Sequence, residues 1–338
     1  VYLKPRPRTN TAPVCWYSRA IEVLAEWTGK RVLVRFERCQ WESRAWLDGE
    51  PLGTQNSLLA PHVYDLTPAL QPGRTQRLSV RLDAYVSHTT QQFQVAEGEL
   101  QGLRQRVGGF HTDPQCNWNG MVGALHLIVT DPLYLEQVQV YPDPDRDCVQ
   151  VRVPVHNDTS EVVDAELCAE VRRPGDKLHA AGGGCYPRFE PGRNEIDMDL
   201  YVDNPRCWDE FDPQLYSCMV WVESPVGTDR QEVTFGFRQL MAEGHRLLLN
   251  GRGLFLRGTL ENGCFPYTGH APMDEAYWER ILTTASDWGL NHLRFHSWCP
   301  PEAAFADADR FGFYLQVELP NTSCPGDPEP DSDSEYLL

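Results

Sequence analysis

The sequence contains no apolar run of the 18 or so residues that a membrane-spanning helix needs. Basic residues are in short supply. Lys and Arg number 30 against 48 Asp and Glu, for a formal net charge of −18. That balance excludes a general binder of nucleic-acid backbone, which needs a basic footprint, and fits an acidic, well-solvated surface. No Cys-x-x-Cys pair occurs among the 11 cysteines, so a zinc ribbon or a thioredoxin-like motif has no support. Their odd number and scattered spacing predict buried or free thiols, with one or two disulfides as the alternative. Internal repeats and low-complexity tracts are absent. The first residue is Val1 rather than Met, and nothing before Thr9 resembles a signal peptide, so the expectation is a processed chain or a piece of a longer one, of open localisation.

What is present is length and changing texture. A chain of 338 residues predicts two or three domains and a large buried core. From residue 14 to about 130 the pattern is all-β. Short runs at Ile21–Val23, Arg31–Glu37, Arg44–Leu47, Leu78–Leu82 and Leu125–Val129 are separated by turns such as Thr28-Gly29, Asp48-Gly49 and Gln71-Pro72-Gly73. This predicts a β-sandwich or jelly roll over residues 1–132. Residues 131–137 read as a hinge. Six further strand-like runs, with Gly182-Gly183-Gly184 and Glu190-Pro191-Gly192 as turns, predict an immunoglobulin-like β-sandwich over 133–240.

At residue 245 the texture changes. Leu247–Leu249, Asn250-Gly251 and Leu254–Arg257 read as a hairpin feeding a strand, because Asn-Gly favours the tight hairpin turn. Met273 to Leu290 reads as a helix. Asp274 can cap it, Trp278, Ile281, Leu282, Ala285 and Trp288 recur at helical spacing, and Gly289 stands where a C-terminal glycine belongs. His292–Phe295 is a strand. Pro300-Pro301 opens a second helix, with Ala304, Phe305 and Ala308 on its apolar face, and Phe313–Val317 is a third strand. Strand–helix alternation over 241–338 predicts a parallel sheet or an α/β barrel.

Polar side chains gather where these strands end, the edge at which parallel barrels carry their chemistry. Glu261 and Asn262 follow the first strand, Arg294, His296 and Trp298 the second, and Glu318 the third. Arg294 can fork onto hydroxyls or carboxylates. Glu318 can accept from hydroxyls or bias a neighbouring pKa, and a structural Arg294–Glu318 ion pair is the competing reading. His296 can donate to a hydroxyl, and a structural histidine is the alternative. Trp298 offers a face for the C–H side of a pyranose, against plain core packing. Glu261 and Asn262 belong either to the same rim or to a solvated loop.

Six motifs in order carry a resemblance. They are Arg44-Ala45-Trp46-Leu47-Asp48-Gly49 with Tyr64-Asp65-Leu66-Thr67, then Trp118-Asn119-Gly120-Met121-Val122-Gly123, Phe235-Gly236-Phe237-Arg238, Leu249-Asn250-Gly251 with Arg257-Gly258, Gly289-Leu290-Asn291-His292-Leu293-Arg294, and Asp307-Ala308-Asp309-Arg310-Phe311-Gly312. The chain resembles the N-terminal part of glycoside hydrolase family 2, the family of β-galactosidases, β-glucuronidases and β-mannosidases. The resemblance implies a sugar-binding jelly roll, an immunoglobulin-like sandwich and the first three βα units of a TIM (β/α)8 barrel. It also implies a carbohydrate substrate, a β-glycoside or oligosaccharide, and cleavage of O-glycosidic bonds with retention. The acid/base and nucleophile glutamates would lie beyond Leu338, so no catalytic residue is expected within the chain. In such relatives the region of Asn117 and Trp118 touches the terminal sugar.

Departures matter too. The enteric β-galactosidases carry a histidine-rich run where this chain has Glu261-Asn262-Gly263-Cys264-Phe265. Their magnesium-binding Glu-Thr-His stands where Thr322-Ser323-Cys324 occurs here. Galactose preference and the magnesium site are therefore not carried over, and no metal or cofactor is expected. An oligomer is possible for a full-length parent. A non-catalytic carbohydrate-binding or adhesive β-sandwich protein, or an inactive glycosidase paralogue, is the alternative function.

Overall fold

The computed structural model describes residues 14–83 and 120–318, apart from positions 41, 58, 174, 176, 177, 264, 266 and 297. The first unit is a β-sandwich. One antiparallel sheet runs Val14–Glu22, Thr75–Asp83, Glu42–Leu47, Glu50–Asn56, and the facing sheet runs His62–Asp65, Arg31–Gln40, Gly120–Thr130. Alternate residues fill the space between them: Leu78, Val80 and Leu82 from one sheet meet Val32, Val34 and Phe36 from the other. The turn at Asp48-Gly49 puts both residues at positive φ, 51° and 92°, as a tight hairpin requires. Strands Glu50–Asn56 and His62–Asp65 were not foreseen, since Pro51, Gly53 and few apolar residues hide the first of them.

The second unit is another antiparallel sandwich. Gly192–Tyr201, Cys148–Asn157 and Leu133–Leu135, with Gln139–Asp143 alongside, face His179–Cys185, Glu166–Arg172, Tyr216–Ser224 and Gly227–Phe235. Val149, Val151, Val153 and Val155 pack against Leu167, Ala169, Val171, Cys218, Val220 and Val222. Two expectations change here. The expected hinge at 131–137 is instead anchored. Leu133–Leu135 is a fully buried strand paired with Val155–Asn157, and Asp131 accepts from Lys30 Nζ at 2.6 Å and Thr228 N at 3.0 Å. Gly182-Gly183-Gly184 does not turn. It lies within an edge strand whose neighbours crowd it, since a Cβ on Gly184 would stand 2.9 Å from Cys168 Sγ.

The third unit opens with a small antiparallel sheet, Leu240–Glu243, Arg246–Leu249 and Arg252–Gly253, turned by Asn250 and Gly251 at φ 51° and 73°. Leu254–Arg257 is not a strand. The Arg257 amide donates instead to Asn291 Oδ1 at 2.7 Å. Three parallel strands follow, Gly258–Glu261, His292–Phe295 and Tyr314–Val317, in sequence order. Helices Glu275–Asp287 and Glu302–Phe311 fill the two crossovers. Asp274 caps the first, accepting from Tyr277 N at 3.0 Å. Trp278, Leu282 and Ala285 meet Leu293 and Phe295 of the middle strand and Ala304 and Ala308 of the second helix. Trp288 and Phe305, expected on the apolar faces, are exposed instead, and Asp307 takes the inward position beside Ala304 and Ala308.

The third unit is held from both sides. Its strand-entry edge meets the second sandwich, where Trp208 Nε1 donates to Asp309 O at 2.7 Å and Asn291 Nδ2 to Glu210 Oε2 at 2.7 Å. Gly312 closes the second helix at φ 72°, and a Cβ there would stand 2.8 Å from Glu210 Cα and O. Gly312→Ala therefore adds left-handed strain to a backbone clash. It should cost about 2 kcal/mol or more, measured by urea unfolding followed through tryptophan fluorescence; an unchanged midpoint would refute the close approach.

Candidate functional site

Parallel pairing aligns the strand ends at one edge. Leu260, Arg294 and Gln316 share a row, as do Glu261, Phe295 and Val317 one residue on. The alternation of faces then decides burial. Leu293 and Phe295 turn toward the helices, while Leu260, Arg294 and Gln316 stand exposed on the opposite face.

Arg294 and Glu318 come together at this edge. The guanidinium reaches Glu318 Oε1 through both Nε and a terminal nitrogen. The pair is not sealed: Arg294 is 45% and Glu318 23% exposed. It is a charged, partly hydrated patch that can both donate to and accept from hydroxyl groups. Glu318 is tied back by its amide, which donates to Phe295 O at 3.3 Å.

Glu261 organises the neighbouring loop by its backbone more than by its charge. Its carbonyl accepts from His296 N at 2.9 Å and from Trp298 Nε1 at 3.2 Å, and its carboxylate accepts from Gly263 N at 2.7 Å. Asn262 is exposed next to it. Trp298 corrects the sequence expectation. It is 5% exposed, with Phe265, Phe295 and Trp278 around it at ring-centroid distances of 5.5, 5.1 and 6.3 Å. Its faces are occupied by aromatic packing, so it offers no platform to a sugar here. Asn117 and Trp118 lie outside the described residues.

A residue that sequence reasoning missed completes the edge from another unit. Arg38, in strand Arg31–Gln40 of the first sandwich, is buried and donates to Cys299 O at 2.8 Å and Pro300 O at 3.2 Å. Burial pulls its pKa down, against the opposing pull of Cys299, Glu37 and Glu302. Arg35 adds an ion pair to Glu302 at 2.8 Å. The only signal was a charged residue inside an apolar strand, with nothing to name a partner more than 250 positions away. The eight cysteines among the described residues are free thiols, Cys39 and Cys218 pushed up to about 12 by burial. Among the described residues no group of three or more His, Cys, Asp or Glu is arranged to hold a metal ion, and no helix is long and apolar enough to cross a membrane.

Two β-sandwiches leading into a parallel strand–helix unit, with polar groups at the strand ends, define a multidomain architecture that known proteins share. Residues 133–238 match the family model for glycosyl hydrolases family 2. A β-galactosidase of Thermoanaerobacter pseudethanolicus is 22% identical over 320 residues, 93% of this chain and 40% of its own length. A β-glucuronidase of Paenibacillus borealis is 21% identical over 310 residues, 90% of this chain and 49% of its own length. Among solved structures, a family 2 member from Bacteroides cellulosilyticus superposes with a TM-score of 0.74 at 18% identity, over 91% of this chain and 40% of that one. The Bacteroides uniformis β-glucuronidase gives 0.75 at 18%, over 94% and 37%. The chain is thus similar to glycosyl hydrolases of family 2 through residues 133–238, and it spans less than half the length of these relatives.

Burial makes Trp298 a test of the site's boundaries. Trp298→Ala should lose about 3–5 kcal/mol of stability, as large-to-small core changes do, read by chemical denaturation. A loss below about 1 kcal/mol would return the residue to the surface.

Proposed function

We propose that this chain is the front portion of a retaining exo-β-glycosidase, and that the strand-end edge is one wall of its sugar pocket. The Arg294–Glu318 pair carries the reading: a half-exposed guanidinium and a partly exposed carboxylate at the carboxyl ends of parallel strands, where such sheets bind ligands. The likeness to family 2 glycosyl hydrolases suggests the carbohydrate chemistry. Arg294 would donate to hydroxyls of the terminal sugar, Glu318 would hold the guanidinium in place and accept a further hydroxyl, and His296, Glu261 and Asn262 would line the same rim. Asn117 and Trp118 would approach from the first unit. The domain division that fits this reading is residues 1–132, 133–240 and 241–338.

The three parallel strands would open a (β/α)8 barrel. In support, Leu260 stands exposed beside Arg294 and Gln316, on the face that a closing barrel fills with side chains. Retaining cleavage needs two carboxyl groups about 5–5.5 Å apart across the bond. In this reading both come from a longer parent, and the 338-residue chain supplies positioning without the reacting pair.

Assays with chromogenic β-galactosides and β-glucuronides test this. The 338-residue chain should show no turnover, and turnover abolished by Glu318→Gln would contradict the assignment. In the longer parent, Arg294→Ala should lower kcat/KM by about tenfold or more, the scale of one lost hydrogen bond to a charged group, with little change in melting temperature.

A further inference from the structure

The first sandwich shows its two outer faces to different surroundings. The sheet containing Arg31–Gln40 turns Arg35 and Arg38 onto the third unit. The other sheet, running Val14–Glu22, Thr75–Asp83, Glu42–Leu47, Glu50–Asn56, lies on the far side of the core. Its outer face carries Trp16, 62% exposed, in offset stacking on Trp46 with centroids 5.3 Å apart and planes at 28°. The register explains the contact. Trp16 pairs with Arg81 and Trp46 with Ser79, so the two indoles meet diagonally across the strand between them. One large apolar ring is supported from behind by a second and left open in front.

The surroundings are polar and nearly balanced in charge. Arg44 pairs with Glu42 at 2.9 Å, Arg81 with Asp83 at 2.9 Å, and Arg77 donates to Ser18 Oγ at 3.0 Å. Three guanidiniums thus stand with the Asp83 carboxylate and the hydroxyls of Ser18 and Ser79, while the Glu42 carboxylate paired with Arg44 is itself buried. Such a face lacks the single-sign field that steers a highly charged partner, and suits a ligand that is apolar on one side and rich in hydroxyls at its edges. A pyranose chain has that character: its axial C–H face meets the negative face of an indole, and its equatorial hydroxyls reach the paired side chains.

We propose that the Trp16–Trp46 face is a second carbohydrate-binding surface, separate from the strand-end pocket, that holds a β-linked polysaccharide chain. The choice of carbohydrate over other occupants rests on the family reading above, but the surface itself shares no residue with the pocket. Its role would be to keep the protein on a polymeric substrate while the pocket engages a chain end, a gain in effective concentration without new chemistry.

Affinity electrophoresis of the 338-residue chain, in gels cast with a mixed-linkage β-glucan, a xyloglucan or a β-galactan, tests the proposal, with sedimentation velocity alongside. At least one polysaccharide should retard the chain. Trp16→Ala should weaken that retardation by about tenfold, the worth of one aromatic stacking contact, whereas Trp16→Phe should keep most of it and Arg294→Ala all of it. Retardation by none of the three would overturn the proposal, as would retardation untouched by Trp16→Ala. Loss only on Arg294→Ala would place the sugar in the pocket and overturn this proposal alone. Self-association abolished by Trp16→Ala would make the face a contact between copies, and equally overturn it.

Discussion

The buried guanidinium of Arg38 is the contact on which the candidate site depends. It belongs to the first sandwich, yet its donors go to the carbonyls of Cys299 and Pro300, in the loop that follows the middle parallel strand. A charge taken out of water destabilises a protein unless it is well partnered, so that loop and that strand are fixed to each other by a penalty for separating them. The same loop carries His296 and Trp298, both tied to the carbonyl of Glu261. Glu210 and Asn291 perform the corresponding task at the opposite edge. The strand ends are therefore positioned by two sandwiches that contribute none of the parallel strands.

That arrangement gives the third unit support that its own core lacks. Three strands and two helices make a small core, and Leu260 and Gln316 on the open face bury little. Small cores are marginal by themselves. Clamped at both edges, the unit can keep Arg294 and Glu318 in register without a tightly sealed ion pair between them, which in any case would contribute little at this exposure.

Much of this was legible in the sequence because its signals are local. Asp274 as a cap, Gly289 as a helix stop, and Asn250-Gly251 as a turn all appear as their chemistry requires. The Arg294–Glu318 pair is the ion pair that strand-end spacing left open as the competing reading for these two residues. The failures are long-range. The burial of Trp298 is decided by Phe265, Trp278 and Phe295, which come from three separate segments. The triple glycine looked like a turn because sequence does not show that an adjacent strand needs the room. Arg38 was missed, since no periodicity names a partner in a different unit.

The most direct measurement is hydrogen exchange at the loop amides after Arg38→Lys. Lysine keeps the charge but cannot span two carbonyls with a planar fork. The account predicts faster exchange in peptides covering residues 292–301, including the His296 amide that donates to Glu261, while strands Thr75–Asp83 and Glu42–Leu47 keep their protection. Unchanged protection of 292–301 would contradict it, and would mean that the strand ends hold their geometry without the first sandwich.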